Sequence, residues 1–249
     1  MENTDRFTGK AVAYTKGRPM YAQAALDFLK KQGINENARI ADIGAGTGIF
    51  SKQLAQTGAT VFAVEPNDDM RQTAKEYLDG SNARCIDGSA ENTALPDHCV
   101  NFVSAAQAFH WFDKAAFRKE CDRILVPDGQ IILIWNIEVF GSDFFRDYGE
   151  ILKRLTNEDM PQTNENNPYE FFFKMAESFL SDFRQYAFDN TLYLDEETFL
   201  YKSLSSSAAP GKDDPHYKLF SQELKKLFVQ YQDGGKLTYP HETVLYIGK

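Results

Sequence analysis

The residues best suited to chemistry are a glycine-rich run, Asp42-Ile43-Gly44-Ala45-Gly46-Thr47-Gly48, and a carboxylate, Glu65, 17 residues after Gly48. Glycines let a chain turn tightly and bring its backbone close to a ligand. The run follows an apolar strand pattern, Arg39–Ile43, and opens a helical pattern marked by Phe50, Leu54 and Ala55. The helix start behind the loop offers free amides and a positive dipole end. Glu65 closes the next strand pattern, where a carboxylate can accept hydrogen bonds from both hydroxyls of a ribose. Strand, glycine loop, helix, strand and acid, in that order, point to an adenosine-containing ligand at the switch point of a sheet. The spacing is GxGxG, with Ile49 where a dinucleotide loop carries its third glycine, and no Lys-Ser/Thr of a phosphate loop follows.

The elements that must position this loop are legible around it. Strand patterns lie at Thr60–Glu65, Ala83–Ile86, Val100–Ala105 and Gln130–Asn136. Helical patterns occupy about Tyr21–Gln32, a stretch capped by Asp68 and Asp69 and running to about Leu78, and Lys114–Leu125. Pro127-Asp128-Gly129 predicts a turn. This alternation implies βαβ units and a mostly parallel α/β sheet covered on both faces. After Asn136 the rhythm breaks into a helical, aromatic-rich insertion over residues 138–185. Strand signals return at Arg184–Leu194, helices at Glu196–Leu204 and Lys218–Tyr231, and a last strand at Leu237–Ile247. The expected organisation is one domain over residues 1–249, with residues 1–20 lying against the carboxyl edge of the sheet.

The Asp42–Gly48 spacing resembles the first motif of the class I S-adenosylmethionine-dependent methyltransferases. Ala63-Val64-Glu65-Pro66-Asn67, with Met70, is similar to the family's second motif. Asp87-Gly88-Ser89-Ala90-Glu91, followed by Leu95-Pro96-Asp97, is similar to its adenine-contacting loop. Ser89 stands where the family often has Asp, and the amide of Ala90 could serve instead. Arg123-Ile124-Leu125-Val126-Pro127-Asp128-Gly129 resembles the family's Arg-x-Leu-x-Pro-Gly-Gly turn, with Asp128 in place of a common glycine. Phe7-Thr8-Gly9 and Tyr14-Thr15-Lys16-Gly17-Arg18-Pro19 resemble the trans-aconitate-like and quinone-biosynthesis-like small-molecule members. The resemblance covers about residues 1–136 and the final strand.

What the resemblance implies is specific. The fold would be Rossmann-like and doubly wound, with seven strands, an antiparallel last strand and an insertion after strand five. S-adenosylmethionine would be the cofactor. Tyr14 and Arg18 would meet its carboxylate under a lid formed by residues 1–20. Gly44, Ala45 and Gly46 would admit the methionine portion, with Asp42 bracing the loop or reaching the amino group. Glu65 and Pro66 would hold the ribose, Ser89, Ala90 and Glu91 the adenine side, and Gln107 would be a further contact. His110, in Ala105-Ala106-Gln107-Ala108-Phe109-His110-Trp111, would face the acceptor, and its ordinary pKa suits a general base. A structural His-Trp pair holding that loop is the competing reading.

Composition bounds the rest. The chain has 249 residues, a net charge of −9 and 43% hydrophobic residues, enough to offset chain entropy. The acidic balance argues against nucleic-acid binding, and Asn167-Pro168-Tyr169 is an accidental echo of a base-methylating motif. Cys85, Cys99 and Cys121 are an odd, scattered set that suits a reducing cytoplasm. No run is long enough to cross a bilayer, and His98, His216 and His241 lack metal-ligand spacing. Phe171, Phe172, Met175, Phe179 and Leu180 form one apolar helical face, expected to border a small acceptor. The expected function is in-line methyl transfer to an oxygen, nitrogen or carbon of a small molecule. An atypical nucleotide-dependent oxidoreductase and a non-catalytic cofactor-binding protein are the alternatives.

Overall fold

The computed structural model describes residues 19–156, 168–204, 209–212 and 214–249. Tyr14, Arg18, the rest of the expected lid up to residue 18, and Asn167 lie outside them. Seven strands form one sheet in the order β3-β2-β1-β4-β5-β10-β6. They are β1 (Arg39–Ile43), β2 (Thr60–Val64), β3 (Ala83–Ile86), β4 (Val100–Ala106), β5 (Leu125–Glu138), β6 (Arg184–Asp189) and β10 (His241–Gly248). β1 to β5 pair in parallel, whereas β10 runs antiparallel between β5 and β6. The reversal from β1 to β4 creates the switch point at which the glycine loop sits.

Side chains of β5 alternate between two cores, as strand geometry requires. Ile132 and Ile134 point into a core built with α1 (Gln23–Lys31) and α2 (Ile49–Ala55), including Leu26, Leu29, Phe50 and Leu54. Ile131, Leu133 and Trp135 point the other way, toward Phe117 and Cys121 of α4 (Lys114–Ile124) and Met175 and Ala176 of α6 (Pro168–Glu177). The remaining helix over the parallel half, α3 (Asp68–Tyr77), is capped by Asn67, whose Oδ1 accepts the Met70 N–H at 3.0 Å. Asp68 and Asp69, expected as the cap, instead occupy the first turn, where acids favour the helix dipole.

The expected insertion over 138–185 divides in two. Its first helix, α5 (Asp143–Thr156), joins α7 (Glu196–Leu204), α8 (Tyr217–Tyr231) and a small sheet in the order β7-β9-β8. The small sheet comprises β7 (Leu192–Leu194), β8 (Gln232–Asp233) and β9 (Lys236–Tyr239). Together they enclose a third core around Phe144, Tyr148, Phe199, Phe220 and Tyr239. Its second helix, α6, packs on the main sheet instead. The single last strand expected over Leu237–Ile247 also breaks, at Pro240, into β9 of the cap and β10 of the main sheet. Proline has no N–H to give a ladder, so the chain changes sheets there. β5 begins at Leu125, with a register shift opposite Val100–Phe102 and Asp128 at φ +64°, so the expected turn is an irregularity inside the strand. No helix among the described residues is long and apolar enough to cross a membrane.

Phe199 is fully buried and meets Phe144, Tyr148 and Phe228 in the cap core. Phe199→Ala is expected to lower unfolding stability by about 3–5 kcal/mol. Urea denaturation checks this, and a loss near zero would show that the cap core adds nothing to the fold.

Candidate functional site

The three glycines between β1 and α2 all take left-handed φ, +67° at Gly44, +57° at Gly46 and +83° at Gly48, but for different reasons. A Cβ on Gly44 would lie 2.7 Å from the Ala108 Cβ, and one on Gly48 would lie 3.1 Å from Leu78. At Gly46 a Cβ would meet nothing within 4 Å. Two glycines therefore let elements pack closely, and the middle one faces open space.

Hydrogen bonds hold the loop in this shape. The Gly44 and Ala45 N–H groups donate to the Val64 carbonyl at 2.9 and 3.1 Å. Gly46 N–H donates to Oε2 of Glu65 at 2.8 Å, and Asn67 N–H donates to Oε1 at 2.9 Å. Glu65 is buried, and burial pushes its carboxyl above the ordinary range against the pull of these two amides. A carboxylate offers about four acceptor positions, so this one retains two. Next in the chain after Gly46, the buried Thr47 hydroxyl has no partner, and Gly48 gives α2 no side-chain cap.

Asp42 lies beneath the loop with no exposed surface. Ser51 donates to its Oδ2 at 2.6 Å and Ser104 to its Oδ1 at 2.8 Å, which joins β1, α2 and β4. Of its two expected roles the brace fits this placement; direct reach to a ligand does not, because both oxygens are buried and engaged. Burial pushes its carboxyl up to about 6, against the two serine hydroxyls.

Arg71 escaped the sequence reading. Its buried guanidinium donates to the carbonyls of Glu65 at 2.8 Å and Pro66 at 3.0 Å, and it pairs with Asp68 and Asp87. It clamps the turn that carries Glu65. The available signal was Asp68 three residues earlier, in the first turn of the same helix.

The loop after β3 is secured from within. Ser89 Oγ accepts the Glu91 and Asn92 N–H groups, both at 3.2 Å, and Glu91 accepts the Asp113 N–H at 3.1 Å. Ala90 is buried in the core and Pro66 is exposed. Arg123 donates to Glu120, to Asp97 and to the Leu95 carbonyl. That guanidinium, together with Thr93, holds the Glu120 carboxyl down to about 2. Gln107, at φ +55°, donates through Nε2 to the Asn136 carbonyl at 2.8 Å and so ties β4 to β5. His110 is exposed in the short turn Phe109–Trp111, with its ring 4.9 Å from that of Trp111. Asn136 Nδ2 donates to the Pro19 and Met20 carbonyls, each at 3.2 Å, so the chain enters the described structure at this edge. Gly46, Glu65, Ser89, Gln107 and His110 thus follow the carboxyl ends of neighbouring strands. Among the described residues no group of three His, Cys, Asp or Glu side chains could hold a metal ion.

A family model described as a methyltransferase domain matches residues 41–133, which run from β1 into β5. The fold is that of a structure from Anaeromyxobacter dehalogenans, presented as a candidate type II methyltransferase (TM-score 0.68, 20% identity, 93% of this chain and 97% of that one). Residues 41–133 thus match a methyltransferase domain. An uncharacterized methyltransferase of Mycobacterium tuberculosis is 37% identical over 147 residues, 59% of this chain and 58% of that protein. The match therefore spans under two thirds of that relative's length. An uncharacterized methyltransferase of Schizosaccharomyces pombe is 25% identical over 238 residues, 94% of this chain and 92% of that protein. S-adenosylmethionine is the cofactor of such a domain. The open face at Gly46, the two remaining acceptor positions on Glu65 and the unpartnered Thr47 hydroxyl fit it.

Because the folded state raises the Asp42 carboxyl to about 6, that proton favours folding below the ordinary range, and the benefit is lost as pH rises through about 6. Relative to Asp42→Asn, the native protein should lose up to about 3 kcal/mol of stability between pH 4 and pH 7. Urea titrations across that range measure the difference, and a flat difference would contradict a buried, proton-binding Asp42.

Proposed function

We propose that this methyltransferase domain binds S-adenosylmethionine over the glycine loop and transfers its methyl group to a small-molecule acceptor. The observation that carries the reading is the Glu65 carboxylate, fixed by the Gly46 and Asn67 amides beside an open glycine. Bound there, the cofactor supplies a methyl group already activated by a positively charged sulfur, so the protein's share is orientation and exclusion of water. Glu65 orients the ribose, the loop after β3 borders the adenine, and Gln107 sets the spacing of the β4 and β5 ends. Tyr14 and Arg18 hold the carboxylate in this reading, as the family resemblance implies. His110 removes a proton where the acceptor is a hydroxyl or amine. The net charge of −9 favours a small metabolite over a nucleic acid, and the scattered cysteines favour the cytoplasm.

Calorimetry with S-adenosylmethionine and with a nicotinamide dinucleotide, side by side, tests the ligand class, with binding expected for the first alone. Glu65→Ala should weaken the sulfonium cofactor at least tenfold while the protein still unfolds cooperatively. Unchanged affinity in a folded variant would remove Glu65 from the site, and preference for the dinucleotide would overturn the reading.

A further inference from the structure

A second polar cluster lies at the carboxyl edge of the sheet, under the cap. Glu138 ends β5, and His241 opens β10 directly opposite it. Strand alternation puts both on the face that carries Ile132 and Ile134. The cap contributes the other members. Tyr239 of β9 donates its hydroxyl to Glu138 Oε1 at 2.5 Å, and the Lys202 ammonium of α7 lies 3.1 Å from the same oxygen. Tyr148 of α5 adds a buried phenol beside Glu138.

Glu138, Tyr239 and Lys202 satisfy one another and tie the cap to the sheet. His241 stands outside that arrangement. It is 3% exposed, and its Nδ1 has no hydrogen-bond partner. Leaving a buried polar nitrogen unpaired is unfavourable, and natural proteins rarely do so without a reason such as a missing ligand. The place fits one. Asn136, two residues before Glu138 on β5, accepts from Gln107 at the end of β4. Two strand residues span about 7 Å, so the cluster lies one step along the edge from the site already described.

We propose that His241, beside Glu138, forms the acceptor subsite and takes a hydrogen bond with the O–H or N–H of a small neutral hydroxyl compound or amine. This inference rests on the methyl-transfer reading above. Burial pushes the His241 imidazole down to about 4, with Lys202 adding to the shift and Glu138 opposing it, so the ring is neutral at pH 7. A neutral imidazole has one donor and one acceptor nitrogen, and a hydroxyl or amine can partner either tautomer. A carboxylate has no proton to give and could pair only with the Nδ1–H tautomer. It would also set a second anion against Glu138: burial raises that carboxyl, but Lys202 and Tyr239 outweigh the effect and keep it charged.

Crystals soaked separately with glycerol, ethanolamine and acetate, with and without S-adenosylhomocysteine, test the subsite. Glycerol or ethanolamine is expected within hydrogen-bond distance of His241 Nδ1, with acetate absent. His241→Phe should remove the bound probe, and His241→Gln, which keeps a hydrogen-bonding end, should retain it. A purely structural histidine would lower the melting midpoint of His241→Phe but leave every probe away from Nδ1 in the native protein, which would overturn the proposal. Acetate alone at Nδ1 would overturn the acceptor class. Failure of S-adenosylhomocysteine to seat beside Gly46 counts against the cofactor reading, while probe position with no cofactor added still decides this one.

Discussion

The Glu65 carboxylate bridges two backbone amides, Gly46 in the loop after β1 and Asn67 at the start of α3, and the site is organised around that bridge. Each amide would otherwise lack this partner at a strand end, and each now orients one oxygen of the acid. Arg71 fixes the turn from behind by binding the carbonyls of Glu65 and Pro66. Asp42 fixes the loop from below through Ser51 and Ser104. The acid is thus held by the protein itself, so in the proposed reading a ribose would not have to order it. Preorganisation of this kind removes part of the entropic penalty of binding.

Three positive-φ glycines make the bridge possible, and they are not equivalent. Gly44 and Gly48 are required by neighbouring atoms, whereas Gly46 is open on its outer face. The same pattern of spacing therefore serves close packing at two positions and leaves open space at one. The loop's own N–H groups at Gly44, Ala45 and Gly46 are all engaged within the protein. The buried Thr47 hydroxyl, by contrast, has no partner, and Gly48 gives α2 no side-chain cap.

The parallel half of the fold was legible because its signals are local. Buried strands such as β1 and β2 read as apolar runs, and the glycine loop and Glu65 mark the strand ends between helical patterns. The cap was not legible in the same way. Phe144 and Phe172 are both aromatics in helical patterns of the expected insertion, yet one enters the cap core and the other packs on the main sheet. Apolar spacing states that a face is buried and not against what. Pro240 hid within a continuous strand pattern because the change of sheet depends on distant partners, Leu192–Leu194 on one side and Glu138 on the other. His241 escaped for a related reason, since it gains its meaning from Glu138 far away in the chain, whereas Arg71 acts on the nearby Glu65 and Pro66 carbonyls. Tyr14 and Arg18 rest on family resemblance and lie outside the described residues.

Backbone amide spectra of the isotope-labelled protein, recorded as S-adenosylhomocysteine is added, test the central assignment most directly. The largest shifts are expected at Gly46, Thr47, Asn67 and Ala90, with Gly235 in the distant turn of the cap unmoved. Saturable shifts elsewhere, with the Gly46 and Asn67 amides unchanged, would contradict the assignment of this edge as the cofactor site.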